Sequence, residues 1–158
     1  RQMCIRDRLY DDDALAGNVN PMIPGEEEKL IAELKYLLGM EIPVVASCNR
    51  VSARDGHFVS CGVEVEKETS VEEVLRLMNI PTLDLPSSPD QVNNIIEDSP
   101  NREDHLWIGE GMTTTVGNIR VDGNIIRFDA LSHNTVRGAA GGVILLAEFA
   151  VKESYITK

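Results

Sequence analysis

The sequence is short of positive charge. Only 15 Lys and Arg stand against 26 Asp and Glu, a formal net charge of -11 over 158 residues. Such a surface has too few cations to replace phosphate counterions, which argues against nonspecific nucleic-acid binding. It also disfavours an anionic membrane as partner. No run of 18 apolar residues exists, so no transmembrane helix is expected. The first 13 residues contain no apolar stretch of the kind a secretory signal requires. Cysteine is scarce: Cys4, Cys48 and Cys61 are an odd number, without the spacing of a disulfide framework or a zinc site. A reducing, cytoplasmic setting is the simpler expectation. Neither G-x-G-x-x-G after a buried strand nor G-x-x-x-x-G-K-[ST] occurs, so neither phosphate-binding loop is encoded. What remains is 42% apolar residues in a chain of single-domain length, enough to bury a core.

Residues 1–13 mix charges without periodicity and end in Asp11-Asp12-Asp13, so they are set apart as a leader outside the packed domain. Pro21, Pro24 and Gly25 then precede a helix over Glu26–Leu38. Its apolar stripe is Leu30, Ile31, Leu34, Leu37 and Leu38. Glu26, Glu27 and Glu28 suit the positive end of the helix dipole, and Gly39 stops it. Ile42–Cys48 reads as a β-rich run broken only by Pro43. His57–Glu66 alternates, with Val59, Cys61, Val63 and Val65 on one face, as a strand of an antiparallel sheet does. Ser70-x-x-Glu73 is a capping box that opens a helix over Val71–Met78. Four prolines mark Pro81–Asn101 as a long loop with a short strand near Asn93–Ile96. Met112–Val121 and Asn124–Leu131 flank Asp122-Gly123, a strong hairpin signal. Gly138–Val151 reads as a helix that is apolar nearly all round and needs burial on more than one side. Strands cluster without a helix between each, which predicts an α+β fold. Its sheet is mainly antiparallel and covered by helices on one face.

Three clusters carry candidate chemistry. Glu26 and Lys29 lie at i, i+3 at a helix start and share a face, as solvated helix-terminal charges also would. Asn49–His57 contains Arg50, whose guanidinium can hold a carboxylate in a bidentate fork, and His57, which can move protons near neutral pH. A plain connection with an exposed Arg and His has the same spacing. Ser132–Gly142 is rich in small residues at a helix start, where amides can meet an anion or simply pack closely. Cys48 and Cys61 lie in strand patterns and read as inert buried thiols. Trp107 reads as packing, and His105 beside it as the weaker candidate.

Three stretches together are similar to aspartate-semialdehyde dehydrogenase of the archaeal and fungal type. They are Asn18-Val19-Asn20-Pro21-Met22-Ile23-Pro24-Gly25-Glu26-Glu27-Glu28-Lys29, then Cys48-Asn49-Arg50-Val51 with Asp55-Gly56-His57, then Ser132-His133-Asn134-Thr135-Val136-Arg137-Gly138-Ala139-Ala140-Gly141. The resemblance spans roughly Gly17 to Val151. It implies NADPH-dependent reduction of L-aspartyl 4-phosphate to L-aspartate 4-semialdehyde through a cysteine thioester, on the route to lysine, threonine and methionine. By position, Arg50 would grip the substrate carboxylate and His57 would be the general acid/base. Lys29 would hold phosphate. Glu26 would meet the substrate amine, with Glu27 as the alternative, and Asn134 would approach the NADP cofactor. No metal is implied. The partners implied are the small-molecule substrate, phosphate and a second copy, in a homodimer or homotetramer.

The family's dinucleotide-binding domain, its Asn-Cys-Thr type nucleophile motif and the Gln that follows it have no match here. Ser52 stands where Pro is usual, and Asn118 where Arg is common. The chain is therefore expected to be the C-terminal portion of such an enzyme and inactive alone. On that basis residues 14–136 form the substrate-binding and dimerisation domain. Residues 137–158 form a helix that would pack on the dinucleotide-binding domain. A non-catalytic dimerisation or anion-binding module, and a sister reductase of another acyl phosphate or a CoA thioester, are the alternatives.

Overall fold

A computed structural model describes residues 19–20 and 23–156. The chain divides between Arg54 and Asp55 into two compact units. In the first, β1 (Val19–Asn20) pairs antiparallel with β2 (Arg50–Val51), and α1 covers Glu26–Leu38. The helix has the bounds its periodicity predicts. The Gly39 N–H closes it on the Lys35 carbonyl, and the three glutamates lie in its first turn. Ile42–Cys48 forms no strand. Pro43 removes one ladder donor, and the Cys48 N–H goes to the Glu27 carboxylate at 3.0 Å instead of to a neighbouring strand. β-propensity without a partner edge does not make a sheet.

The second unit holds a four-stranded sheet in the order β3-β6-β5-β4. β3 is His57–Glu64, β4 is Asn93–Ile95, β5 is Thr114–Asp122 and β6 is Ile125–Ser132. β3 and β5 flank β6 antiparallel, and only the short β4 runs parallel, to β5. This is the mainly antiparallel α+β arrangement expected. The β5–β6 hairpin turns through Gly123-Asn124, one residue later than Asp122-Gly123, because Asp122 still pairs with Ile125. α2 (Val71–Met78) lies against β4 and β5 and buries Val74. Half of its capping box forms: Ser70 Oγ accepts the Glu73 N–H at 3.3 Å. The Glu73 carboxylate turns to Arg76 at 2.6 Å instead of back to the cap.

Val74, Leu106, Met112, Val116, Leu131 and Leu145 are the buried apolar side chains among the described residues. Each withdraws about 1.5–3 kcal/mol worth of apolar surface from water. The apolar row of β3 is less covered: Val59 is 48% and Val63 41% exposed. The terminal segment begins as a π-turn over Val136–Ala140 and continues as α4, Gly141–Lys152. Of α4 only Leu145 is buried, while Val143, Ile144, Leu146 and Val151 stay exposed. Polar contacts strap it: Glu148 accepts both the N–H and the hydroxyl of Ser87, at 2.9 and 2.8 Å. No helix among the described residues is long and apolar enough to cross a membrane.

Asp129 on β6 ties three elements together. It accepts from Ser60 on β3 (2.7 Å), Ser99 in the preceding loop (2.6 Å) and Asn118 on β5 (2.8 Å). Asn118 has φ 52 within the β5 bulge, a conformation Asn tolerates better than most residues. Burial alone would raise the Asp129 pKa. The three hydrogen bonds and the Arg120 charge outweigh burial and hold it below its ordinary 3.8. The ionised form therefore stabilises the fold at neutral pH. That contribution fades as pH drops below about 4 and through the lowered pKa. Asp129→Asn is expected to cost about 2 kcal/mol at pH 7, since donors would face a donor. Thermal melts at pH 7 and pH 3 should show the gap to wild type shrinking at the lower pH.

Candidate functional site

In the first unit, Glu26 and Lys29 meet as expected from their spacing, carboxylate to ammonium at 3.5 Å, both side chains about 40% exposed. An open pair of this kind adds under about 1 kcal/mol of stability and can exchange partners with a ligand. Glu27 is engaged elsewhere, on the Cys48 N–H. It anchors the segment leading to Arg50, leaving Glu26 as the glutamate grouped with Lys29. Arg50 is half-buried in β2, its backbone paired with Asn20.

Neither described cysteine suits a nucleophile. Burial pushes the Cys48 thiol up, and the nearby Glu27, Glu26 and Glu28 push further. Burial and Asp129 do the same to Cys61. Both effects disfavour the thiolate, which is the reactive form. Cys48 lies outside any strand, and both thiols are half-buried rather than fully enclosed.

In the second unit, His57 opens β3 and pairs in register with Ser132 of β6. Its side chain is exposed. Two residues past Ser132, Asn134 Oδ1 accepts the Gly56 N–H at 2.8 Å. The residue expected beside a cofactor is therefore joined through one glycine to the residue expected to move a proton. With Oδ1 occupied, the Nδ2 donors are what Asn134 can offer a ligand. Between them His133 is 1% exposed. Its Nδ1 accepts the Val136 N–H at 3.4 Å, and its ring meets Trp107 edge to face with centroids 4.4 Å apart. Trp107 packs on that one side and is otherwise 59% exposed. His133 Nε2 is buried without a hydrogen-bond partner among the described residues.

The π-turn fixes the rest of this loop. The Gly138 N–H reaches the His133 carbonyl and the Ala140 N–H reaches the Thr135 carbonyl, both at 3.1 Å. These five-residue closures are characteristic of functional segments. The sequence shows only small residues here, and nothing in them distinguishes a π-turn from an α-helical start. Arg102 carries no signal in the local sequence. It lies in α3 (Arg102–His105), a single turn capped by the Asn101 side chain on the Asp104 N–H at 2.9 Å. Arg102 Nε donates to the Asp55 carbonyl at 2.9 Å, across 47 residues of chain, which no local pattern could reveal. Among the described residues no group of three or more His, Cys, Asp or Glu could hold a metal ion.

The sheet order, the bulged β5 and the polar π-turn leading into the last helix define a mainly antiparallel α+β domain. The semialdehyde dehydrogenase dimerisation domain matches residues 11–137, and the chain belongs to that family. An aspartate-semialdehyde dehydrogenase of Archaeoglobus fulgidus is 43% identical over 90% of this chain and 46% of its own length. A malonyl CoA reductase (NADP) of Metallosphaera sedula is 30% identical over 91% of this chain and 46% of its own. The crystal structure of aspartate semialdehyde dehydrogenase with NADP from Candida albicans superposes with a TM-score of 0.80 at 31% identity. It covers 93% of this chain and 48% of that one. The chain spans about half the length of the relatives it matches.

Proposed function

We propose that this chain is the substrate-binding and dimerisation part of an aspartate-semialdehyde dehydrogenase. The full-length enzyme would reduce L-aspartyl 4-phosphate to L-aspartate 4-semialdehyde with NADPH, through a cysteine thioester. The observation that carries this is the 43% identity to an enzyme of that name across nine-tenths of the chain. The site chemistry supports it. The substrate bears an ammonium, a carboxylate and an acyl phosphate. Glu26 would take the ammonium and Lys29 the phosphate, each exchanging a weak mutual contact for a ligand charge. Arg50 would hold the carboxylate in a fork. His57 would move the proton as the thioester forms and breaks. Bound NADP supplies or takes the hydride. The Asn134 Nδ2 donors match the carboxamide oxygen at its nicotinamide end. The raised thiols of Cys48 and Cys61 support a nucleophile that lies elsewhere in the full-length protein.

The exposed valines of β3 support self-association, as a homodimer or within a homotetramer, and a cytoplasmic enzyme fits the composition. The relative named malonyl CoA reductase favours a second reading, reduction of a CoA thioester. One assay on the full-length protein separates them. Aspartate semialdehyde with NADP should give NADPH only when phosphate is present, and malonyl-CoA with NADPH should give nothing. Turnover of malonyl-CoA without the phosphate-dependent reaction would transfer the assignment to the second reading. The 158-residue chain alone is expected to be inactive in both.

A further inference from the structure

The peptide group between Asp55 and Gly56 is held at both its polar ends. Arg102 Nε donates to the Asp55 carbonyl at 2.9 Å, and Asn134 Oδ1 accepts the Gly56 N–H at 2.8 Å. Carbonyl and amide belong to one rigid plane, so two bonds on opposite edges stop its rotation. Gly56 itself has φ 106, a region where side chains are strained. A Cβ there would sit 3.1 Å from Leu106 Cδ1 and 3.5 Å from Leu131 Cδ1, so the backbone rests on the buried core. The next residue is His57, whose own backbone is pinned to Ser132 by the sheet register. Position 57 is thus held on its N-terminal side by a clamped plane and on its flank by β6.

We propose that Arg102 and Asn134 are positioning residues for His57. By locking the Asp55–Gly56 peptide they set the direction in which the imidazole leaves the chain. The proposal rests on His57 being the proton-transfer group suggested above. Its physical content is that a misplacement of about 1 Å at a reacting group can cost on the order of 100-fold in rate. Among the described residues, the Arg102 side chain meets the Asp55 carbonyl and, at 3.9 Å, the Asp55 carboxylate. Its effect on turnover would therefore pass through the clamped peptide.

The test is made in the full-length enzyme with Arg102→Ala, Arg102→Lys, Asn134→Ala, the Arg102→Ala/Asn134→Ala double variant and His57→Gln. Arg102→Ala should lower kcat about 10-fold or more, with KM within about twofold and Tm close to wild type. Arg102→Lys, which keeps a donor, should recover most of the loss. The double variant should fall by clearly less than the product of the two singles, because both bonds hold one plane. His57→Gln separates the two levels of the argument. If it loses turnover while Arg102→Ala keeps wild-type kcat, the positioning role is overturned and the role of His57 stands. If His57→Gln keeps wild-type kcat, the role of His57 falls and the positioning role with it. A drop in Arg102→Ala that merely follows lost folded protein, or strictly multiplicative losses in the double variant, also overturns the proposal.

Discussion

Arg50→Ala in the full-length protein is expected to lower kcat/KM for aspartate semialdehyde by roughly 150-fold, about 3 kcal/mol of transition-state binding. The size follows from what truncation leaves behind. A half-buried guanidinium facing a carboxylate offers two parallel charge-assisted hydrogen bonds, and removing it strands the ligand charge in a partly dehydrated place. Arg50→Lys should recover little, since an ammonium cannot reproduce the fork. Steady-state kinetics with the semialdehyde varied would show the loss mainly in KM if the contact is made equally in ground and transition states. Wild-type kcat/KM in Arg50→Ala would remove this residue from the site. Arg50 sits in the two-residue strand β2, whose pairing with β1 holds its backbone. Melting curves for the variant should therefore accompany the kinetics.

Gly117→Ala should be the most damaging added methyl among the described glycines. A Cβ at this point of β5 would overlap the Asp98 carbonyl oxygen and come within 2.8 Å of Ile96 Cγ1. The chain following β4 crosses there, bonded from the Ile96 N–H to the Val116 carbonyl at 3.0 Å and from the Asn118 N–H to the Glu97 carbonyl at 3.1 Å. Backbone cannot step aside as a flexible side chain can, so those bonds and the adjoining Asp129 contacts would be disturbed together. Overpacking of this kind costs about 3 kcal/mol. In a domain of this length that lowers Tm by about 6–12 °C. Gly62→Ala is the matched control, because nothing lies within 4 Å of its Cβ position. Equal melting of the two variants would refute the close approach.

Elements whose cause is local were legible in advance. The first helix ran from its glutamates to its glycine because the apolar stripe, the dipole and the stop signal all lie within 14 residues. Ser70 marked the start of α2 for the same reason. The candidate residues Glu26, Lys29, Arg50, His57 and Asn134 could be named from three short stretches. What failed had a distant cause. Ile42–Cys48 has the composition of a strand, yet its last amide is claimed by Glu27, 21 residues away. The apolar face of β3 alternates as a core face does, but Val59 and Val63 remain exposed. The partner of Asp129 on β3, the loop crossing Gly117 and the reach of Arg102 to Asp55 all join segments far apart in the chain.

The sequence by itself determined the class of fold, the ends of the first two helices, the existence of the hairpin and the residue types gathered in three short stretches. These follow from periodicity, capping and charge, which act over a few residues. Only the tertiary structure decided that Glu27 is taken up by the Cys48 N–H, that both described thiols are pushed away from reactivity, and that Asn134 and Arg102 grip one peptide beside His57. Those outcomes depend on through-space distances of about 3 Å. Chain closure sets such distances, and local sequence does not encode them.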